Sequence, residues 1–339
     1  MRALVIGHFS TMGDLEVLRE VERQLAALSM QWDVAPLAKG MIQFDPSWID
    51  ARTVEPAAYT HLLVVCGPFW RPYYLRCRVD LDAFAHCTRI GVNLSMIEDI
   101  NTYNPFDRLI GRDNDNWTRP DIAFLHQPSK MPVAGLCLVR SQSEYGKRQK
   151  HDGAGAVLRR LARRNGLAVI ELDTEWPAPR NSSGFASPEE FESVCARMDV
   201  MLTTRLHGTV LSLKNGVPVI AVDAISGGGG KVLRQAKAIG WPEAFSIDQA
   251  TDAVLDEALA RCLKPAAQDL ARSCTARARQ TLGDFSEMFE AAVHASAEGK
   301  PSYTSPAERP SRFGRKLQKI RRRLTRYFPK VTAKLNSSN

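Results

Sequence analysis

Arg205 and His207, with Lys231 behind a run of four glycines from Gly227 to Gly230, are the residues whose types and spacing best suit chemistry on a small anion. An arginine fork grips a carboxylate or phosphate through parallel N–H bonds, and a lysine adds a point charge. A histidine changes between proton donor and acceptor near neutral pH. Consecutive glycines let backbone approach a ligand without side-chain obstruction. A small phosphorylated or carboxylated ligand is expected. The same residues have plainer uses, Arg205 as the cap of a helix and the glycines as a flexible loop. The run is not a Walker A loop, because Ile225 stands where its first glycine should be and Val232 where Ser or Thr should hold magnesium.

These residues need elements to position them. Asp199 to Thr203 is a short apolar run, Val210, Leu211 and Leu213 follow at helical spacing, and Gly216 stands where a helix end favours a left-handed residue. Val217 to Val222 is β-branched and apolar, as in a buried parallel strand. With both strands parallel, Arg205 and His207 leave the carboxyl end of one, and the glycines with Lys231 leave the next. In an open α/β sheet that edge binds ligands. Helices are expected to begin near Leu206 and near Lys231, each presenting unpaired N–H groups and roughly half a positive charge.

The first half of the chain reads as an opening βα unit. Ala3 to Ile6 predicts a strand, GHFSTMGD a loop, and Asp14 to Ser29 a helix with Leu15, Leu18, Val21, Leu25 and Leu28 on its apolar face. His8 and Asp14 are either acid/base groups or, for Asp14, a helix cap. Strands are expected at Leu62 to Val65, Arg89 to Leu94 and Ile122 to Leu125. The segment FWRPYYLRCR either packs beneath a loop or stacks on a sugar ring. A linker is expected at QPSKMP, residues 127 to 132.

The pattern then restarts. A strand at Val133 to Val139, a polar loop, a helix to Asn165 and a strand at Leu167 to Leu172 precede a strong helix start at Ser187-Pro188-Glu189-Glu190. Helices at Val254 to Leu263 and Asp269 to Val293 close the unit. The expected fold is α/β, with two Rossmann-type parallel-sheet domains, residues 1–128 and 133–298, facing a cleft, and a basic tail over 299–339.

Composition narrows the class. With 339 residues and 44% hydrophobic content, the chain has ample core for two domains. Its seven cysteines are scattered and never spaced CxxC, which favours a reducing compartment over disulfides or zinc ribbons. The net charge of +8 is uneven, since residues 300–339 hold twelve Lys or Arg against Glu308 alone, leaving the remainder at −3. The body therefore shows no nucleic-acid footprint. In the tail, Phe313, Leu317, Ile320, Leu324 and Phe328 fall near one face of a basic helix. Residues 312–328 suit an anionic membrane surface, with a partner, nucleic acid or a solvated arm as the other readings. No apolar run approaches the length of a membrane span, and MRALVIG is too short for a signal peptide. A cytoplasmic body is expected, peripheral at the inner face of the membrane if the tail docks. No metal cluster is visible.

At Arg205-Leu206-His207-Gly208, followed by GVPVIAVD and Lys231, the chain resembles the polysaccharide pyruvyl transferase family. Gly13-Asp14 before a helix and PDIAFL at Pro120 to Leu125 are similar to further segments of that family, and the likeness spans residues 1 to 290. It implies a GT-B-like pair of domains and transfer of a pyruvyl group from phosphoenolpyruvate to sugar hydroxyls, giving a cyclic ketal. No cofactor is implied, phosphoenolpyruvate being the donor substrate and a sugar or lipid-linked oligosaccharide the acceptor. Arg205 and His207 would contact the donor, with Leu206 offering backbone. His207 would be the acid, Asp14 or His8 the base, and Gly208, Gly228, Gly229, Gly230 and Lys231 would complete the donor site. The rivals are a GT-B glycosyltransferase using a nucleotide sugar, with Asp223 or Glu171 on the ribose, and a non-catalytic glycan-binding protein.

Overall fold

The computed structural model describes residues 1–140, 143–227 and 230–294. Gly228, Gly229 and the tail, with its membrane-facing stretch 312–328, lie outside the described residues. The chain divides into two compact units, Met1–Lys130 and Met131 onward.

The first unit is built on β1 (Arg2–Gly7), α1 (Met12–Ala27), β2 (Gln31–Pro36), β3 (His61–Val65), β4 (Pro68–Phe69), α2 (Arg71–Arg76), β5 (Thr88–Val92), β6 (Ser95–Met96) and β7 (Arg108–Ile110). Five of these strands form one sheet in the order β2-β1-β3-β5-β7, parallel at every pairing. Its strands alternate between two cores. Leu4, Ile6, Leu62 and Val64 enter one cluster, while Ala3, Val5, Leu63 and Val65 enter the other, with α1. Burial on both faces explains the unbroken apolar runs. Each such Val, Leu or Ile contributes about 1.5–3 kcal/mol of transfer free energy.

The second unit contains β8 (Val133–Cys137), α3 (His151–Arg164), β9 (Ala168–Glu171), α4 (Pro188–Cys195), β10 (Val200–Thr203), α5 (Leu206–Lys214), β11 (Val219–Asp223), α6 (Lys231–Ile239), β12 (Ala244–Ser246), α7 (Asp252–Cys262), α8 (Pro265–Thr281) and α9 (Phe285–His294). Its sheet is also parallel, in the order β12-β11-β10-β8-β9. The chain moves outward from β8 to β9, then crosses back to β10 on the other side. The carboxyl ends of β8 and β10 therefore flank the reversal of strand order, where an open sheet leaves a crevice. The α/β class with two Rossmann-type parallel sheets is borne out.

Local expectations mostly hold, with two corrections. Ile122–Leu125 is a 3-10 turn, not a strand. The Asp121 carboxylate accepts the Ala123 amide at 2.9 Å and starts the turn, and Ile122 and Ala123 pack against the α1 core. The helix expected over Asp269 to Val293 is two helices, α8 and α9, interrupted around Gly283. In FWRPYYLRCR the packing reading holds for Phe69 and Tyr74, both buried. Tyr73 instead stacks on His8, with ring centroids 4.8 Å apart.

Candidate functional site at the ends of β8, β9 and β10

The connection from β10 to α5 is fixed by hydroxyls and by one missing side chain. Thr203 Oγ1 donates to the Cys137 carbonyl at 2.6 Å and accepts the Arg205 amide at 3.0 Å, tying the strand end to β8. Thr204 Oγ1 accepts the Val139 amide at 2.8 Å. A Cβ on Gly208 would lie 2.3 Å from Thr203 Oγ1, so only glycine lets the first turn of α5 come this close to the strand. Gly208 thus shapes the site by packing. At the other end of α5, Gly216 adopts φ +73° and the Val217 amide reaches the Ser212 carbonyl at 2.9 Å, the closure expected of a glycine there.

Arg205 is the N-cap residue of α5, and among the described residues no side chain caps this helix. Its guanidinium is turned across the end of β8 toward the loop after β9. Nε donates to the Leu138 carbonyl at 2.8 Å, Nη2 lies 2.9 Å from Asp173 Oδ1, and the Glu175 carboxylate stands 3.9 Å from Nη2. The side chain is only 15% exposed and Asp173 is 3% exposed. Burial alone would push the Asp173 carboxyl up. The amides of Ser182 and Glu175, the Ser182 hydroxyl and Arg205 outweigh it and hold the group below the ordinary carboxylate value. Of the guanidinium's N–H groups, Nη1 makes no hydrogen bond among the described residues. The arginine is therefore preorganised, with Nη1 and the open first turn of α5 left to meet an anion.

His207, one turn position on, is exposed. It lines a cavity of about 170 Å³ with Glu175, Trp176, Phe185, Phe191 and Leu211. A second cavity, about 350 Å³, is lined by Arg140, Gln149, Lys150, His151 and Asp152 at the start of α3. The Lys150 amide donates to the Ala224 carbonyl at 2.7 Å, which joins this loop to the end of β11. Cationic groups therefore follow the ends of both β8 and β10. A larger cavity, about 580 Å³, lies at the opposite, β12 edge of the sheet between Trp241, Phe245 and Leu270, where Arg261 is paired with Glu243 at 2.6 Å.

The start of α6 is built differently. Lys231 is half-buried at its first position and Gly230 is its N-cap residue. The buried Asp223 carboxylate accepts the Leu233 amide and the Ile225 amide, each at 3.2 Å. A Cβ on Gly230 would lie 2.0 Å from that carboxylate. Asp223 is thus held inside the fold as an anchor for α6. Glu171, at the far end of the sheet on β9, is paired with Arg159.

In the first unit, Asp14 closes the start of α1. Its carboxylate accepts the Thr11 amide at 2.9 Å and the Ser10 amide at 3.0 Å, while Thr11 Oγ1 accepts the Asp14 amide at 3.2 Å. The N-cap residue is Thr11, and Asp14, at the third helical position, completes the capping box instead of standing at the N-cap itself. His8 lies between β1 and α1 with Nε2 buried and no hydrogen-bond partner among the described residues. Burial pulls its imidazole below the ordinary value, and the nearby Asp14 charge opposes this only in part.

The model of the polysaccharide pyruvyl transferase family matches residues 158–224. That stretch runs from α3 through β11 and contains Asp173, Glu175, Arg205, His207 and Gly208, while Gly230 and Lys231 fall beyond it. The resemblance read at Arg205 to Gly208 falls inside this matched stretch. No curated protein matches the chain. Among solved structures, a spinosyn rhamnosyltransferase with its aglycone is similar at 12% identity and TM-score 0.32, over 85% of this chain and all of that one. A calicheamicin glycosyltransferase is similar at 13% identity and TM-score 0.31, over 87% and 100% of the two chains. A UDP-GlcNAc 2-epimerase of Methanocaldococcus jannaschii is similar at 10% identity and TM-score 0.29, over 78% and 93%.

Sequence reasoning missed Arg140, Lys150, Asp173, Glu175 and Trp176. A signal for the first two was present, since both sit in the polar loop after β8, at the sheet edge already singled out. Nothing local marks Asp173 as the partner of an arginine 32 positions later in the chain. Among the described residues no group of three or more His, Cys, Asp or Glu could hold a metal ion, and no helix is long and apolar enough to cross a membrane.

Proposed function

We propose that this chain is a transferase that moves a pyruvyl group from phosphoenolpyruvate to a sugar of a cell-surface polysaccharide or its lipid-linked precursor, forming a pyruvate ketal. The observation that carries the reading is the uncapped start of α5, with Arg205 already oriented by Asp173 and the Leu138 carbonyl, inside the stretch that matches the pyruvyl transferase family. A doubly anionic donor suits this place. One anionic group meets Arg205 Nη1 and the first amides of α5, including that of Leu206, and the other meets Arg140 and Lys150 across the end of β8.

The reaction needs a proton for the methylene carbon of the donor and charge stabilisation for the phosphate that leaves. His207 supplies the proton, a role typically worth about 10²- to 10⁴-fold. Arg205 and the helix amides stabilise the donor's charge as it redistributes. Lys231 contributes a positive field and no direct contact, because Asp223 already accepts an amide at the start of α6. Asp14 serves the start of α1. The tail, through residues 312–328, holds the enzyme at an anionic membrane surface, where each basic group adds on the order of 1 kcal/mol.

Calorimetric titration of the full chain with phosphoenolpyruvate, UDP-sugars and GDP-sugars tests the donor. Comparison with Arg205→Ala in the same chain and at the same salt removes the contribution of the tail, which attracts any anion. Saturable phosphoenolpyruvate binding that Arg205→Ala abolishes, with nucleotide sugars silent, is the expected result. A nucleotide sugar that binds in place of phosphoenolpyruvate refutes the pyruvyl reading in favour of a glycosyltransferase. Sugar binding that survives loss of Arg205 and His207, with no donor bound, identifies a non-catalytic glycan-binding protein.

A further inference from the structure

The cavity of about 170 Å³ beside His207 has a floor of Phe185, Phe191 and Leu211 and a rim of Trp176, Glu175 and His207. Most of the polar groups around it are consumed in holding its shape. Asn181 Nδ2 donates to the Asp173 and Glu175 carbonyls at 3.0 and 2.9 Å, and its Oδ1 accepts the Ser183 amide at 2.9 Å. Asp173 accepts the Glu175 amide at 2.9 Å and the Ser182 hydroxyl at 2.9 Å, besides Arg205. Ser187 Oγ caps α4 by accepting the Glu190 amide. Two titratable groups are left over. Neither His207 nor the Glu175 carboxylate makes a hydrogen bond among the described residues, and the cations nearest Glu175, Arg205 and Arg180, stand 3.9 and 3.7 Å away.

The remaining rim group is Trp176, whose large ring is 73% exposed. An exposed indole above an apolar floor, with a carboxylate and an imidazole at the edge, has the chemistry of a pyranose seat. The C–H face of the sugar covers the aromatic surface and its hydroxyls meet the polar rim. The volume fits one sugar residue, since cavities for larger ligands run to about 300–1,000 Å³. Its position also fits, because Glu175 is 3.9 Å from the guanidinium proposed to hold the donor.

We propose that this cavity seats the pyranose that accepts the pyruvyl group, stacked on Trp176, with Glu175 the base for the attacking hydroxyl. The assignment rests on the donor reading above only for the chemistry, and the sugar seat stands without it. It supplies acid and base from one unit, so that no group of the first unit is required for proton transfer. The proton account closes. His207 protonates the methylene carbon, the first hydroxyl gives its proton to Glu175, and its oxygen bonds to the former enol carbon. The C–O bond to phosphate then breaks with the proton of Glu175 passing to the phosphate. The second hydroxyl closes the ketal and returns a proton to His207. One donor and one diol give one ketal and one inorganic phosphate, with both side chains restored.

Saturation-transfer NMR on the full chain with methyl glycosides of glucose, galactose, mannose and N-acetylglucosamine tests the seat. Trp176 and Glu175 are exposed or half-buried, so Trp176→Ala and Glu175→Gln leave the core intact. Transfer to the ring C–H protons of at least one glycoside, lost in Trp176→Ala, is expected. Phosphate release from phosphoenolpyruvate with that glycoside should fall at least 100-fold in Glu175→Gln, while phosphoenolpyruvate affinity is not lowered. No glycoside binding, or binding indifferent to Trp176→Ala, overturns the seat, and phosphate release that survives Glu175→Gln overturns the base. Failure of phosphoenolpyruvate to bind the parent chain is a different result, which refutes the donor reading and leaves the NMR outcome to decide the seat.

Discussion

The starts of α5 and α6 follow neighbouring parallel strands of one sheet, and each has a glycine at or near its first turn, yet the fold treats them in opposite ways. At α6 a carboxylate of the protein, Asp223, already accepts the Leu233 amide, and Gly230 is needed because a Cβ would lie 2.0 Å from that carboxylate. At α5 no side chain among the described residues caps the helix, and the glycine in its first turn is needed for contact with Thr203. Glycine beside a helix start is therefore not in itself the mark of an anion site. The proposed donor site needs an open set of amides with an arginine held by other groups, and of these two starts α5 has both among the described residues.

The largest expected effect separates Arg205 from Lys231. Arg205→Ala removes charge-assisted bonds to the donor worth roughly 3 kcal/mol together, which corresponds to about 100-fold in affinity. It also leaves Asp173 buried without its cation, and losing one partner of a buried pair costs about 3–5 kcal/mol of stability. Lys231→Ala should change phosphoenolpyruvate affinity by no more than about threefold, the size of one screened charge. Titration of both variants with phosphoenolpyruvate, with thermal unfolding in parallel, checks the pair. A loss at Lys231 equal to that at Arg205 breaks the comparison, because it would mean that α6 is as open as α5.

A smaller, structural effect comes from the two glycines. Gly208→Ala and Gly230→Ala each place a methyl group inside contact distance of a buried oxygen, at Thr203 and Asp223 respectively. Overpacking of this kind costs about 1–3 kcal/mol. Both variants should unfold at lower urea concentration, but only Gly208→Ala displaces the turn that carries Arg205 and His207. Donor affinity should therefore fall in Gly208→Ala and hold in Gly230→Ala. Equal affinity in the two variants would show that the β10–α5 turn does not position the site.

The difference between the two helix starts also marks how far the sequence could be read. Strand, helix and strand from Val200 to Asp223 were legible because two buried apolar runs flank a helical pattern that ends at Gly216. The start of α4 was legible because Ser187 and Pro188 act within one turn. Ile122 to Leu125 misled because four apolar residues carry no period of their own, and the neighbouring Asp121 decided for a turn. Arg205 and His207 were legible as residue types at a strand end. The groups that make Arg205 rigid were not, since Asp173 and Leu138 reach it from the ends of β9 and β8, and such pairing follows from strand order. The role of Asp223 was hidden for the same reason, its amide partner Leu233 lying ten residues on in a different element.

The smallest effect tests the closed helix start directly. Asp223→Asn keeps the volume of the side chain and an oxygen to accept the Leu233 amide, but turns its NH2 toward the Ile225 amide and removes the charge that faces the N-terminus of α6. Charge at a helix N-terminus is worth about 0.3–1 kcal/mol, up to about 2 kcal/mol where it is partly buried. The variant should therefore lose about 1–2 kcal/mol in urea unfolding and gain nothing in phosphoenolpyruvate affinity, because an amide still fills the place. Asp223→Ala goes further and vacates it, so α6 then presents a free amide beside Lys231. A new anion affinity that appears in Asp223→Ala but not in Asp223→Asn, and that Lys231→Ala removes, would show that the two helix starts differ only by this one carboxylate. Anion binding unchanged in both variants would mean that the asymmetry between α5 and α6 lies in Arg205 and its partners rather than in the cap.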